Sequence, residues 1–361
     1  MKRMIKMMIY WARIELLIVV VILASMLLFS CNIQHTPSIP HTVNPSFYHW
    51  KQTFNLQESD KKNIQELGLK NLYVRFFDII WQPPTGAIPT AIIDFESQFP
   101  DSLGLIPCIY IENKVFQQLK ENKEIEDLAE KAAKKIQFLL QKSDRTDITE
   151  VQLDCDWSAS TRQNYFHFLA EFRKHFDANV LLSATIRLHQ IKYAEKTGVP
   201  PVDKGMLMYY NMGKIKEANN HNSILDNQIG RQYISSKTRY DLPLDVALPI
   251  FEWGVWFHRG KFSGIFNDLN EVKLKEMGDF EELEKNVYML EQDTVVGSRY
   301  LRRGDVVRLE GIEAEALKEA ADICREVLNS ENVNVAFYHW TSSLIEQQGV
   351  EFLKEIYQRF E

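Results

Sequence analysis

Cysteine is scarce, four residues in 361, and that scarcity excludes a disulfide-built fold. One of the four, Cys31, closes an apolar run near the N-terminus. Cys108, Cys155 and Cys324 remain, so at most one disulfide can form among them. No Cys/His spacing resembles a zinc site, and no glycine-rich loop is present to cradle a phosphate. Neither a metal nor a cofactor is therefore expected. Basic runs are missing too: 42 Lys and Arg stand against 49 Asp and Glu, a net charge of -7. An acidic chain without a basic stretch is a poor partner for nucleic acid.

The N-terminus has the features of an export signal. Lys2, Arg3, Lys6 and Arg13 flank or precede the run LLIVVVILASMLLF, which stops at Ser30 and Cys31. The tetrapeptide LFSC resembles the lipobox of bacterial lipoproteins, in which the cysteine is diacylated and becomes the new N-terminus after cleavage. A simple transmembrane anchor is the alternative. The 14 apolar residues fall short of the ~20 needed to span a bilayer, although Ile14 and its neighbours could extend them. In either case the remainder lies outside the cytoplasm. The lipoprotein reading places it in the cell envelope, lipid-anchored through Cys31 to a bacterial membrane and facing the periplasm or the cell surface. Loss of residues 1–31 removes four basic residues and Glu15, moving the net charge from -7 to -10. Residues 32–45, NIQHTPSIPHTVNP, combine three prolines with polar residues and read as a tether.

From residue 46 to 361, short β-rich runs alternate with amphipathic helical patterns, which implies parallel strands joined by crossover helices. The runs are SFYHW (46–50), LYVRFFDI (72–79), GLIPCIYI (104–111), EVQLDCD (150–156), VLLSATI (180–186), GMLMYYNM (205–212), DVALPIF (245–251) and VNVAFYHW (333–340). Between two of them, Tyr165, Phe168, Leu169, Phe172 and Phe176 fall on one helical stripe. Eight β/α units in roughly 300 residues fit a (β/α)8 TIM barrel better than an open sheet. The tetrapeptide FYHW occurs in both the first and the last run, and those strands are neighbours only if the sheet closes. Two stretches fit less well. WQPPTGAIPTAIIDFESQFPDSL, after the second run, holds four prolines and no convincing helix. Residues 258–310, after strand seven, read as a small α+β insertion that could wall a cleft, with Arg303-Gly304-Asp305 as a tight turn within it.

In such a barrel, chemistry belongs at the C-terminal strand ends, where the βα loops converge. Residues two apart in a strand share a face, so Asp154 and Asp156 leave strand four on the same side. If that side is the interior, mutual repulsion would raise the pKa of one of them. Asp154 could equally serve only as an acceptor for neighbouring strands, and Asp156 as a loop cap. His49, Asp78, Glu112, Asn113, Tyr209, Tyr210, Asn211, Glu252 and His339 come to the same rim. Trp50, Trp81, Trp157, Trp253, Trp256 and Trp340 all lie at or just past strand ends. Indole faces stack on the C–H faces of sugars while carboxylates and amides bind hydroxyls, so a carbohydrate ligand is expected. The competing role for these tryptophans is to plug a wide barrel.

These strand-end residues resemble the chitinase-like family 18 glycoside hydrolases. In that family strand four ends in D-x-x-D-x-D-x-E, often with Trp before the Glu, strand six carries M-x-Y-D, and the last strand supplies a tryptophan to the sugar site. Asp154, Asp156 and Trp157 match the middle of the first motif, Met208-Tyr209-Tyr210-Asn211 resembles the second, and Trp340 stands where the third would lie. The resemblance implies a glycosidase-type barrel over 46–361, and the chain is also similar to a group of bacterial lipoproteins built on it. Departures are equally specific: the proton donor's position falls on Ser158, the first aspartate's on Val151, and the strand-six aspartate's on Asn211. An ordinary serine hydroxyl cannot protonate a leaving glycosidic oxygen at useful rates. Two functions follow. One is a hydrolase with Asp156 as acid, Glu252 as nucleophile or base and Asp154 nearby, the two strands carrying them being those that bear the carboxylates of many retaining barrel glycosidases. In this reading the aromatics around Glu252 would desolvate it and raise its pKa. The other is a non-catalytic carbohydrate-binding lipoprotein that uses Trp157, Tyr209, Tyr210, Asn211, Glu112, His49, His339 and Trp340.

Overall fold

The computed structural model describes residues 41–361 apart from 236 and 268. The expected signal sequence (1–31), its Cys31 and most of the expected tether (32–45) lie outside the described residues. Eight parallel strands form the central sheet: β1 (Thr42–His49), β2 (Asn71–Gln82), β3 (Gly104–Ile111), β4 (Glu150–Asp154), β5 (Leu181–Arg187), β6 (Lys204–Met208), β7 (Leu244–Pro249) and β8 (Asn332–Tyr338). Each pairs with its sequence neighbour, and β1 pairs with β8, so the sheet closes into a barrel. The two FYHW copies lie side by side in that closing seam, Phe47 opposite Phe337 and Tyr48 opposite Tyr338.

Alternation along the strands sorts side chains between the barrel interior and the helical layer. The outward set, such as Val151 and Leu153, meets the apolar stripes of the helices. Helix α1 (Glu58–Leu67) packs near the closing seam, α2 (Asn122–Lys142) buries Ile125, Leu128, Ile136 and Leu139, and α3 (Arg162–Arg173) buries Tyr165, Phe168, Leu169 and Phe172. Each such aromatic or aliphatic side chain stabilises the layer by about 1.5–3 kcal/mol relative to exposure. Cys108, Cys155 and Cys324 are buried free thiols in the same core.

The proline-rich stretch after β2 forms a hairpin instead of a crossover helix. Strand β2 runs past the barrel rim and pairs antiparallel with Gly86–Thr90. Among the described residues no helix lies between Gln82 and Gly104, since proline lacks the amide hydrogen that helix and central strand both require. After β7 the chain leaves the barrel for a five-stranded antiparallel sheet in the order 261–267, 253–258, 306–310, 287–290, 280–284, accompanied by the helix Glu271–Met277. Its own small core contains Leu274, Tyr288, Leu290, Leu301 and Val307. Arg303-Gly304-Asp305 forms a turn there. Gly304 has a φ of 85°, and buried Asp305 accepts hydrogen bonds from the Trp256 indole and the Arg302 amide.

Candidate functional site

The barrel interior is filled with polar groups in layers. At the N-terminal end, Lys204 of β6 lies 2.7 Å from both Glu150 of β4 and Asp245 of β7. One layer up, the Tyr48 hydroxyl donates to Gln152 Oε1 across the barrel at 2.6 Å, and Gln152 donates to Ser183. At the C-terminal mouth, Thr185 donates to Asp154 Oδ1 at 2.6 Å. Asp154 is thus the third inward residue of β4, after Glu150 and Gln152.

Two ion pairs flank it. Arg75 of β2 forks onto Asp78, with Nε to Oδ1 at 2.7 Å, and its guanidinium lies 5.6 Å from the centre of the Trp50 ring. Arg187, the last residue of β5, forks onto Asp156, Nε to Oδ1 and Nη2 to Oδ2. Burial raises the pKa of Asp154; Arg187 opposes that rise, and repulsion from Asp156 adds to it. The expected repulsion between the two aspartates therefore operates, but desolvation is the larger cause. Burial also works against the charge on Arg187, and Asp156 with Asp154 more than offsets it. Tyr110, beside the same carboxylates, is pushed up to about 12, chiefly by burial.

Asp156, Arg187, His189, Met208, Tyr210, Asn211, Met212 and Tyr233 line a cavity of about 410 Å³ at this mouth. Tyr210 stacks on Tyr338 with ring centres 5.4 Å apart and planes at 28°. Asn211 is exposed in a left-handed conformation (φ 56°), its amide bonded to the carbonyl of Ile224. Of the residues expected here, Asp154, Asp156, Tyr210 and Asn211 come together.

Several others do not. Trp157 is 1% exposed, stacks on Tyr165 of α3, and donates its indole N–H to the carbonyl of Thr197. It has the opposite parity to Asp154 and Asp156 and so faces the helices, not the mouth. Tyr209 differs from Tyr210 in the same way: fully buried, it bonds Asn227 and presses on helix α4 (Asn227–Tyr233). Only glycine fits at position 230, where a Cβ would sit 2.0 Å from the Tyr209 hydroxyl. Trp340 is buried against Phe47 and donates to Asp60 of α1, so Tyr338, not Trp340, supplies the aromatic face on β8. His49 packs on Phe54 behind the strand, and burial lowers its pKa to about 4. His339 is half-buried with its ring against Tyr338, and Glu112 accepts the backbone amide of Trp81, anchoring the hairpin.

Glu252 belongs elsewhere. Its carboxylate accepts from Asn270 at 2.9 Å and Gln347 at 3.2 Å, and it lines a separate cavity of about 1000 Å³ between the insertion and the loop after β6. The structure does not bring Asp156 and Glu252 into one cavity. Ser158, which the sequence resemblance sets against the family's proton donor, bonds Ser160 and Thr161 in the turn that opens α3. Arg187, Arg75, Thr185 and Tyr338 were missed. Parity would have found Arg187, which stands one residue past the expected strand and two past Thr185.

No protein-family model matches the chain, and no curated protein matches it. Among solved structures it is similar to a family 18 N-acetylglucosaminidase from Paenibacillus barengoltzii, at 12% identity over 88% of this chain and all of that one, with a TM-score of 0.51. It is likewise similar to a family 18 chitinase from the chitin utilization locus of Flavobacterium johnsoniae, at 12% identity over 88% of this chain and 94% of that one, TM-score 0.50. At this identity the likeness is one of fold alone, a closed (β/α)8 barrel that the chain shares with both of these enzymes.

Proposed function

We propose that the chain is an exported, Cys31-lipidated barrel whose mouth binds a saccharide without hydrolysing it. Binding without turnover rests on one observation. Both carboxylates at and just past the C-terminal end of β4 are already engaged, Asp154 by Thr185 and Asp156 by the Arg187 fork, and position 158 is a serine held in a hydroxyl turn. An acid catalyst must present a proton to the leaving oxygen. Both Asp156 oxygens instead accept from the Arg187 guanidinium, and the buried Asp154 accepts from Thr185. The cavity and the Tyr210–Tyr338 stack nonetheless supply an apolar face ringed by hydrogen-bonding groups, which suits a sugar ring. Similar barrels are a chitinase and an N-acetylglucosaminidase, which supports a glycan as the ligand class.

The test uses the full chain in detergent on a glycan array and on a panel of chromogenic glycosides. Saccharide binding with no turnover is the expected result, and sustained turnover abolished by Asp154→Asn or Asp156→Asn would overturn it. Envelope anchoring is checked separately: incorporation of labelled fatty acid should be lost in Cys31→Ser.

A further inference from the structure

The geometry points to Arg187, paired with Asp156, as the specificity-determining residue of the mouth, selecting an uncharged sugar through two neighbouring hydroxyls. This rests on the saccharide-binding reading above and narrows its ligand class. The two side chains differ in accessibility: Asp156 is 50% exposed and Arg187 22%, so the carboxylate is the outer member of the pair and the guanidinium the inner. Both line the 410 Å³ cavity, which admits one or two sugar rings.

Arg187 spends Nε and Nη2 on Asp156. Among the described residues its Nη1 has no hydrogen-bond partner, and each Asp156 oxygen retains spare lone pairs. The pair therefore offers the unpartnered Nη1 donor group beside acceptor lone pairs on Asp156, a pattern that matches adjacent hydroxyls, one accepting and one donating.

Charge decides against other ligands. Arg187 is balanced by Asp156 and Arg75 by Asp78, so the fixed charges of the mouth cancel in pairs, with Asp154 buried between them. A uronate could reach Arg187 only through the free Nη1, where it would lie beside the Asp156 and Asp154 carboxylates, or else displace Asp156 and face both of them. An ammonium sugar would have to compete with two guanidiniums already placed on the available aspartates. A neutral hydroxyl leaves both pairs intact and adds charge-assisted hydrogen bonds to them.

Calorimetric titration of the full chain in detergent with neutral oligosaccharides, their uronates and single-deoxy analogues tests this. Neutral ligands should bind best, and Arg187→Gln should weaken them by roughly ten- to hundredfold, as expected for lost hydrogen bonds to a charged group. A deoxy analogue lacking one of the two hydroxyls should bind the wild type about tenfold more weakly, yet bind Arg187→Gln no worse than the parent sugar does. Arg187→Lys, which keeps the charge but loses the fork, should retain the fold by circular dichroism while losing most of the discrimination. Neutral-sugar binding indifferent to Arg187→Gln, or a preference for the uronate, overturns the assignment and leaves saccharide binding standing. Failure of every saccharide to bind removes both.

Discussion

The two ends of the barrel interior use the same chemistry to different effect. At the base, Lys204 bridges Glu150 and Asp245 with side-chain exposures of 16%, 4% and 5%. At the mouth, Arg187 holds an Asp156 that is half exposed. Burial raises the pKa of Glu150 and of Asp245, and the Lys204 ammonium counters the rise. Charges sealed from water must be matched within the protein, because a buried unpaired ion is far more costly than a surface one. The base therefore reads as structure. Charges at the mouth are only partly desolvated, so a ligand can share them. Position along the strand, not residue type, separates the two roles.

The most severe way to break the comparison is Lys204→Met, which leaves two buried carboxylates facing each other. It should cost about 3–5 kcal/mol by denaturant unfolding, with the loss smaller in acid, where protonation of Glu150 or Asp245 relieves the repulsion. A loss under about 1 kcal/mol would mean that water reaches the base as it reaches the mouth.

Next comes Trp157→Ala, which should destabilise by about 3 kcal/mol through lost packing on Tyr165 and a lost indole bond to Thr197. Saccharide affinity of the folded variant should be unchanged. A selective loss of affinity with normal stability would return Trp157 to the site.

The smallest effect is expected for Asp154→Asn, less than about 1.5 kcal/mol, and its pH dependence is the informative part. Burial raises the Asp154 pKa in the folded state, so the folded chain holds that proton more tightly than the unfolded one. The contribution of Asp154 is full in acid below its unfolded pKa and is lost as pH rises through its folded pKa. The stability of the wild type relative to the Asn variant should therefore be greatest in acid and fall steadily towards neutral pH, to the point where the variant becomes the more stable. A wild-type advantage that grows with pH would place Asp154 in an ion pair, not in a desolvated hydrogen bond.

Much of the barrel was legible because hydrophobic runs and helical stripes are local signals. GLIPCIYI is strand β3 residue for residue, and the stripe Tyr165, Phe168, Leu169, Phe172 is the buried face of α3. The repeated FYHW pointed to closure, and its two copies pair in register. The site was legible only in part. Asp154, Asp156, Tyr210 and Asn211 were found from strand ends, whereas Trp157, Tyr209 and Trp340 were placed at the mouth by proximity in sequence although they face the helices. For Trp157 and Tyr209 the period-two rule already held the answer. For Trp340 it did not, since the chain turns outward after Tyr338 and the indole finds Asp60, 280 residues away.

What the sequence determined by itself is the alternation of strands and helices and the side of each strand on which a residue falls, because both follow from backbone periodicity. Which carboxylate meets which cation was decided by tertiary structure alone. Arg187 reaches Asp156 across 31 residues and Lys204 joins Glu150 to Asp245, pairings fixed by closure of the sheet. Glu252 likewise meets Asn270 of the insertion and the distant Gln347 in a cavity apart from Asp156, contacts that no local pattern encodes.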